Sequence, residues 1–419
     1  MGFSTINEHL IWINNLQSGA ICLGLDRVKV VAERLCLLSK TCPVITVAGT
    51  NGKGSTVAGL ETIYSCAGYK TGSFTSPFLF KHNEQVKLNG KNVDDHLFCQ
   101  AFLAVKQALG EVLLTPFEFH TLAALWIFKQ YPLDLIILEV GLGGRLDAVN
   151  IIDTDLAIVT SIDLDHIDWL GPDRESIGFE KAGIFRSGKP AIYGDLRPPH
   201  SLIEHAKSIH TPLYFQKKDF DYEKNQEDWA WHNQPIHYHH LPLTSLLLQN
   251  MSIVLMGITL LQKNLPVTDH ALVEGLKQVT LPGRIQIVPG EITHIFDVSH
   301  NPAAIRLLKS QLKTLTPPKH SYAVFSMLAD KDIDESINIL KEDVDFWFVA
   351  PLAVKRAASE EKLKAAFEKA KIKCVCFFST IEEAYLAALS KSVKDDRLLV
   401  LGSFHTVANA FAIFNARRC

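Results

Sequence analysis

The sequence predicts an α/β protein with mainly parallel sheets buried on both faces, arranged as two unequal domains. Short, continuously apolar, β-branched runs alternate with helix-like stretches along the chain, the pattern of strands covered by helices on both sides. Glycine-rich and polar segments follow several of these runs, where open parallel sheets gather their ligands. The 419 residues suit two or three domains at ~100–200 residues each.

In chain order, strands are expected at 44–48, 135–140, 156–162 and 191–193 in the first part. In the second they are expected at 295–298, 322–327, 346–349, 374–378 and 398–401. Leu281-Pro282-Gly283-Arg284 through Pro289-Gly290 reads as a connection, after which a fresh strand–helix alternation begins. This places domains at 1–287 and 288–419, the second of ordinary domain size at ~130 residues.

Composition narrows the function. Hydrophobic residues at 47% and charged residues at 21% exclude disorder as a global description. A net charge of -3, from 42 basic and 45 acidic side chains, lacks the basic excess of a nucleic-acid or anionic-membrane binder. Mean hydropathy is +0.10, so a membrane span has to be considered. The longest apolar stretch, 241–261, contains Pro242, Gln249 and Asn250 and is expected to form a buried helix of a soluble protein.

The opening residues Met1-Gly2-Phe3-Ser4-Thr5-Ile6 lack a basic segment followed by an apolar one, so no secretory leader is expected. Ile6 stands where a myristoylation signal takes Ser or Thr. Thr5 and Glu8 instead match a capping box that opens a first helix. None of the eight cysteines forms a Cys-x-x-Cys pair, and buried, reduced thiols of a cytoplasmic protein are expected. His232, His237, His239 and His240 match no zinc spacing, and Pro235 and Pro242 flank an expected surface connection.

Chemistry concentrates first at Val47-Ala48-Gly49-Thr50-Asn51-Gly52-Lys53-Gly54-Ser55-Thr56, a strand, a glycine loop and a helix start. Glycines let backbone N–H groups turn toward one point, the helix N-terminus adds positive character, and Lys53 can reach phosphate oxygens. The match to Gly-x-x-x-x-Gly-Lys-Ser/Thr is imperfect: Val47 replaces the first glycine, and Gly54 separates Lys53 from Ser55. A tight strand-to-helix turn with an incidental lysine is the bland alternative.

Mg²⁺ beside a nucleotide needs oxygen ligands. Glu139 closes an apolar strand, where an unpaired carboxylate is costly; it is either a metal ligand or half of a salt bridge. His166, after Asp163 and Asp165, is a ligand or a capping residue. Ser76 reads equally as a turn serine, and Lys181 by pattern is simply a lysine at a helix end.

Six motifs then occur in order: Ala48–Ser55, Glu139–Ala148 (Glu-Val-Gly-Leu-Gly-Gly-Arg-Leu-Asp-Ala), Glu180–Ile184, Leu281–Arg284, Asp297–Pro302 and Gly402–Ala408. Together they resemble the bifunctional dihydrofolate synthase/folylpolyglutamate synthases, members of the Mur ligase superfamily, over nearly the whole chain. The glycine loop alone would indicate only the superfamily. The resemblance implies an N-terminal P-loop ATPase domain, a smaller C-terminal Rossmann-like domain and an active site between them. It implies that Gly49, Thr50, Asn51, Gly52, Lys53, Gly54 and Ser55 hold the ATP phosphates, with Asn250, Arg284 and Asp297 as further ATP contacts. Ser76, Glu139 and His166 would bind Mg²⁺, and Lys181 matches a carbamylated lysine that helps hold a second Mg²⁺. Lys53, His166 and Lys181 are the expected catalytic residues. The pterin would lie against Ile21, Cys22 and Leu23, against Thr115, Pro116 and Phe117, and against Leu146, Asp147 and Ala148; Phe117 suits stacking and Asp147 hydrogen bonding. His300 lies on a matching motif without an assigned role. Cys22, Pro116 and Phe78 depart from residues that relatives carry, which touches substrate contacts and not the ATP chemistry.

The implied reaction is ATP-driven amide formation through an acyl phosphate. L-Glutamate is added to dihydropteroate and then to reduced folates, in a cytoplasmic monomer without nucleic-acid or membrane partners. A monofunctional folylpolyglutamate synthase is the nearest alternative. A peptidoglycan-type Mur ligase would need an additional N-terminal domain, for which a phosphate loop beginning at residue 49 leaves no room. A P-loop switch protein would leave Glu139, His166, Lys181 and Asp297 unexplained.

Overall fold

The computed structural model describes residues 5–16 and 22–417. It divides into two compact units, Met1–Thr280 and Leu281–Cys419. The expected boundary lay at 287/288; here β12, named below, hydrogen-bonds into the second unit's sheet.

The first unit is built on strands β1 (Val44–Ala48), β2 (Thr71–Phe74), β3 (Val86–Leu88), β4 (Lys91–Asn92), β5 (Leu135–Glu139), β6 (Leu156–Val159), β7 (Ala191–Tyr193) and β8 (Leu213–Phe215). Their order is β4-β3-β2-β5-β1-β6-β7-β8. β2, β5, β1, β6, β7 and β8 run parallel, and β3 and β4 add an antiparallel edge. β1, with all five residues buried, lies between β5 and β6, where the order reverses. The crevice beyond its carboxyl end is the ligand position of such sheets.

Helices Lys53–Cys66, Pro116–Lys129 and Leu248–Leu261 are buried around most of their circumference. The last two are accordingly apolar on nearly all sides, whereas the first also buries Ser55, Thr56 and Glu61. The first helix opens at Ile6 with the expected capping box: Glu8 N–H donates to Thr5 Oγ1 and Thr5 N–H to Glu8 Oε2.

Three expectations need correction. The histidine-rich stretch is no surface connection but part of an antiparallel sheet of β9 (Phe220–Lys224), β10 (Asp228–Asn233) and β11 (Ile236–Pro242). β10 alternates buried and half-exposed residues, turning Trp229 and Trp231 inward. Trp231 Nε1 donates to Ser252 O and Oγ at 3.1 and 3.0 Å, which fixes this sheet against helix Leu248–Leu261. The apolar stretch 241–261 is therefore not one helix. Leu241 and Pro242 finish β11, and the helix starts at Leu248. The described cysteines, finally, are not buried: Cys22, Cys36, Cys374 and Cys376 are exposed, and Cys42, Cys66 and Cys99 half-buried. Cys376 sits on an edge strand of the second sheet, so its apolar neighbourhood in sequence does not make it interior.

The second unit carries β12 (Gln286–Val288), β13 (Thr293–Asp297), β14 (Ser321–Phe325), β15 (Phe346–Val349), β16 (Val375–Phe377) and β17 (Arg397–Leu401). Their order is β12-β13-β17-β14-β15-β16, with only β12 antiparallel. Ile295, Phe325, Trp347 and Leu399 from four strands pack against Ile305, Leu340 and Phe367 of the covering helices. The α/β, mainly parallel architecture is as expected. Among the described residues no helix is long and apolar enough to cross a membrane.

Candidate active site

The glycine loop joins β1 to helix Lys53–Cys66 at the reversal of strand order. Gly52 caps the helix with φ +88°, a left-handed conformation that favours glycine. A Cβ there would come within 2.6 Å of Asn250 Oδ1. The end of β6 holds the loop from the side. Thr50 N–H donates to Ser161 O (2.8 Å), Asn51 N–H to Ser161 Oγ (3.1 Å), Thr160 Oγ1 to Asn51 O (2.6 Å) and Asp163 N–H to Thr50 Oγ1 (3.0 Å). Lys53 Nζ folds back onto Gly49 O (2.9 Å) and Thr50 O (3.3 Å). Gly54 and Ser55 lie in the first helical turn, Ser55 buried.

Asn250 enters from helix Leu248–Leu261. It is buried, and its Nδ2 has no hydrogen-bond partner. An orphaned buried amide beside a glycine loop is costly unless a ligand supplies an acceptor. The residues present thus fit a polyphosphate-bearing nucleotide.

Parallel pairing of β2 with β5 brings Ser76 and Glu139 together: Ser76 N–H donates to Glu139 Oε2 at 3.3 Å. Glu139 is buried at the carboxyl end of β5. His166 caps a short helix in a left-handed conformation (φ +52°), its N–H donating to Asp165 Oδ1 at 2.9 Å. Lys181 lies in the last turn of helix Arg174–Ala182 and is only 4% exposed. Burial pushes its amine down from 10.5 to about 7; the Lys53 charge adds to the fall, while Asp165 and Asp147 oppose it. No cluster of three His, Cys, Asp or Glu side chains able to hold a metal ion occurs among the described residues. Of the three expected ligands, Ser76 and Glu139 come together here, and all three are of the donor types that suit a divalent ion.

Of the expected pterin contacts, Ile21 lies outside the described residues. The other segments converge. Gly24 N–H donates to Leu146 O at 3.4 Å. Thr115 and Glu118 form a capping box at the start of helix Pro116–Lys129, and Arg27 links Glu118 to Cys22 O. Phe117 packs its ring over Gly141, where a Cβ would come within 2.5 Å of it. Asp147 caps the 3-10 turn Ala148–Ile151 and accepts from Leu142 N–H (2.8 Å) and Val149 N–H (3.0 Å). Burial lifts its carboxyl to about 6, held back by these backbone donors and by Lys53. Asp147 thus shapes the turn that carries Leu146 and Ala148.

In the second unit, Asp297 ends β13 and is buried. It accepts from Ile285 N–H (2.8 Å), Ser299 N–H (2.9 Å) and the Ser299 hydroxyl. Burial raises its carboxyl, with Ser299, Ile285 and Arg284 opposing. The Arg284 guanidinium lies 4.8 Å from the centre of the Phe404 ring, and His300 lies 6.1 Å from the same ring. Sequence reasoning missed Thr160 and Ser161 as the lateral support of the loop, and Phe404 as the platform for Arg284. Thr160 and Ser161 follow a strand, a position that could have flagged them, and Phe404 lies within the noted Gly402–Ala408 motif, which does not announce its contact with Arg284.

Fold and site together define a P-loop ligase of the Mur type. Residues 283–404 match the Mur ligase, glutamate ligase domain family. The chain is 43% identical over 415 residues to dihydrofolate synthase/folylpolyglutamate synthase of Escherichia coli (strain K12), covering 99% of this chain and 97% of that one. The structure resembles E. coli FolC in complex with DHPP and ADP (TM-score 0.96, 42% identity, 100% of both chains). It also resembles a bifunctional folylpolyglutamate synthase/dihydrofolate synthase with Mn, AMPPNP and L-glutamate bound (TM-score 0.92, 40% identity, 99% of both chains). The chain belongs to the dihydrofolate synthase/folylpolyglutamate synthase family.

Proposed function

We propose that the chain is a bifunctional, ATP- and Mg²⁺-dependent ligase that adds L-glutamate to dihydropteroate and further glutamates to reduced folates. The observation that carries this reading is the similarity to a bifunctional enzyme over 99% of the chain, which favours it over a monofunctional folylpolyglutamate synthase. In this reading the domain of residues 1–287 binds ATP and pterin, and that of 288–419 is the C-terminal ligase domain.

The substrate carboxylate oxygen bonds to the γ-phosphorus as the bridge to ADP breaks, giving an acyl phosphate. The glutamate amine then bonds to the acyl carbon; phosphate leaves, and the amine gives up its proton. The reacting groups are anionic, so charge and positioning supply most of the catalysis. The loop from Gly49 to Ser55 and the Lys53 ammonium hold the phosphates, Asn250 offers its amide, and Arg284 and Asp297 are further ATP contacts. Ser76, Glu139 and His166 hold the metal, which when bound neutralises phosphate charge. The lowered Lys181 basicity supports carbamylation: a neutral amine bonds to the carbon of CO2 and loses a proton, leaving an anionic ligand for a second ion. Cys22, Leu23, Thr115, Pro116, Phe117, Leu146, Asp147 and Ala148 form the pterin surface. The enzyme works as a cytoplasmic monomer on small anionic substrates, with no nucleic-acid or membrane partner, in keeping with its net charge of -3.

The test is to incubate the protein with ATP, Mg²⁺, L-glutamate and either dihydropteroate or a tetrahydrofolate, and to weigh the products. Both acceptors should gain one glutamyl residue. No product from dihydropteroate would overturn bifunctionality.

A further inference from the structure

We infer that Arg27 is a positioning residue for the pterin-bearing substrate, a role that rests on the ligase reading above. Arg27 Nη2 donates at once to Cys22 O (2.8 Å) and to Glu118 Oε1 (2.9 Å). The other oxygen of Glu118 accepts from Thr115 N–H at 2.7 Å, and the Glu118 side chain is only 4% exposed. One nitrogen therefore ties the 22–24 segment to the N-terminal turn of helix Pro116–Lys129, which carries Phe117. The same segment reaches the third wall through Gly24 N–H and Leu146 O. These bonds join three segments far apart in sequence, two of them through the ion pair itself.

The bonding pattern separates Arg27 from an arginine that only braces the fold. Arg186 places Nε, Nη1 and Nη2 on Asp153, Gly183, Phe185 and Asn150. Among the described residues Arg27 bonds through Nη2 alone, and its buried Nε has no partner there. Since one cationic nitrogen does the tying, a lysine should reproduce much of it. Glu118, buried and already holding Thr115, depends on that cation for its remaining oxygen. Without Arg27, the 22–24 segment loses its anchor to the helix start, and the pterin surface loses its alignment. The phosphate loop, held independently by Thr160 and Ser161, keeps its geometry.

The test compares wild type, Arg27→Met, Arg27→Lys and the double variant Arg27→Met/Glu118→Gln in steady-state kinetics. Arg27→Met should raise KM for dihydropteroate ~10-fold or more while changing KM for ATP less than twofold. Arg27→Lys should recover most of the loss. The double variant should be no worse than Arg27→Met, because the two side chains act as one unit. Equal rises in both KM values, or no recovery by lysine, would overturn the inference. A wild type inactive on dihydropteroate would instead defeat the functional reading, and an Arg27→Met protein with wild-type KM would defeat this inference alone.

Discussion

Replacing Lys181 with methionine removes an amine that the fold holds at a large cost. The side chain is 4% exposed, and its amine falls from 10.5 to about 7, chiefly through burial. A drop of that size corresponds to on the order of 5 kcal/mol against the charged form in the folded state. The unfolded chain binds the proton below pH 10.5 and the folded one only below about 7. Stability contributed by the neutral amine is therefore progressively lost as pH falls from 10.5 to 7, with the full penalty below 7. Lys181→Met, similar in length and uncharged, should stabilise the ligand-free enzyme by up to ~5 kcal/mol at pH 7 and by only ~2 kcal/mol at pH 9. It should also abolish amide formation. Urea unfolding of both proteins in CO2-free buffer at the two pH values, paired with the glutamylation assay, measures this. A stability difference that does not change with pH, or a variant that still turns over, would refute the reasoning.

Lys53→Ala should abolish ATP turnover, since its ammonium sits on the loop carbonyls of Gly49 and Thr50 where the phosphates are proposed to bind; near-normal activity would remove it from the phosphate site. Asn250→Ala should raise the Kd for ATP ~10-fold, because the unpartnered Nδ2 needs a ligand acceptor; calorimetric titration with a non-hydrolysable ATP analogue reads it. Burial drives His82 down to about 4, so the unfolded chain takes its proton first as pH falls. Stability should drop by up to ~3 kcal/mol between pH 6.5 and 4, and His82→Phe should flatten that part of the urea-midpoint profile.

The phosphate loop was legible because its chemistry is local. Gly49 to Ser55 follow one another and lead straight into the start of a helix. The buried strands β1, β5 and β6 were legible because a strand covered on both faces must be apolar throughout. β2 was not: Thr71-Gly72-Ser73-Phe74 is fully buried yet mostly polar or small, because ladder bonds and the Ser73–Glu61 hydrogen bond (2.6 Å) satisfy it. The β9–β11 sheet was equally hidden, since its tryptophans acquire an inside only when helix Leu248–Leu261 packs against them.

By itself the sequence determined the alternating α/β class, the loop at the end of the first strand and, through six ordered motifs, the family. Those properties depend on residue type and near-neighbour spacing. Tertiary structure alone decided which distant groups meet. Ser76 reaches Glu139 because β2 pairs with β5. Asn250 faces Gly52 because Trp231 fixes its helix. Lys181, an ordinary helix-end lysine by pattern, loses basicity because folding removes water and places Lys53 nearby. Desolvation and long-range charge have no sequence neighbour to announce them, so the resemblance could single out Lys181, but the lowered basicity of its amine emerged only once the chain was folded.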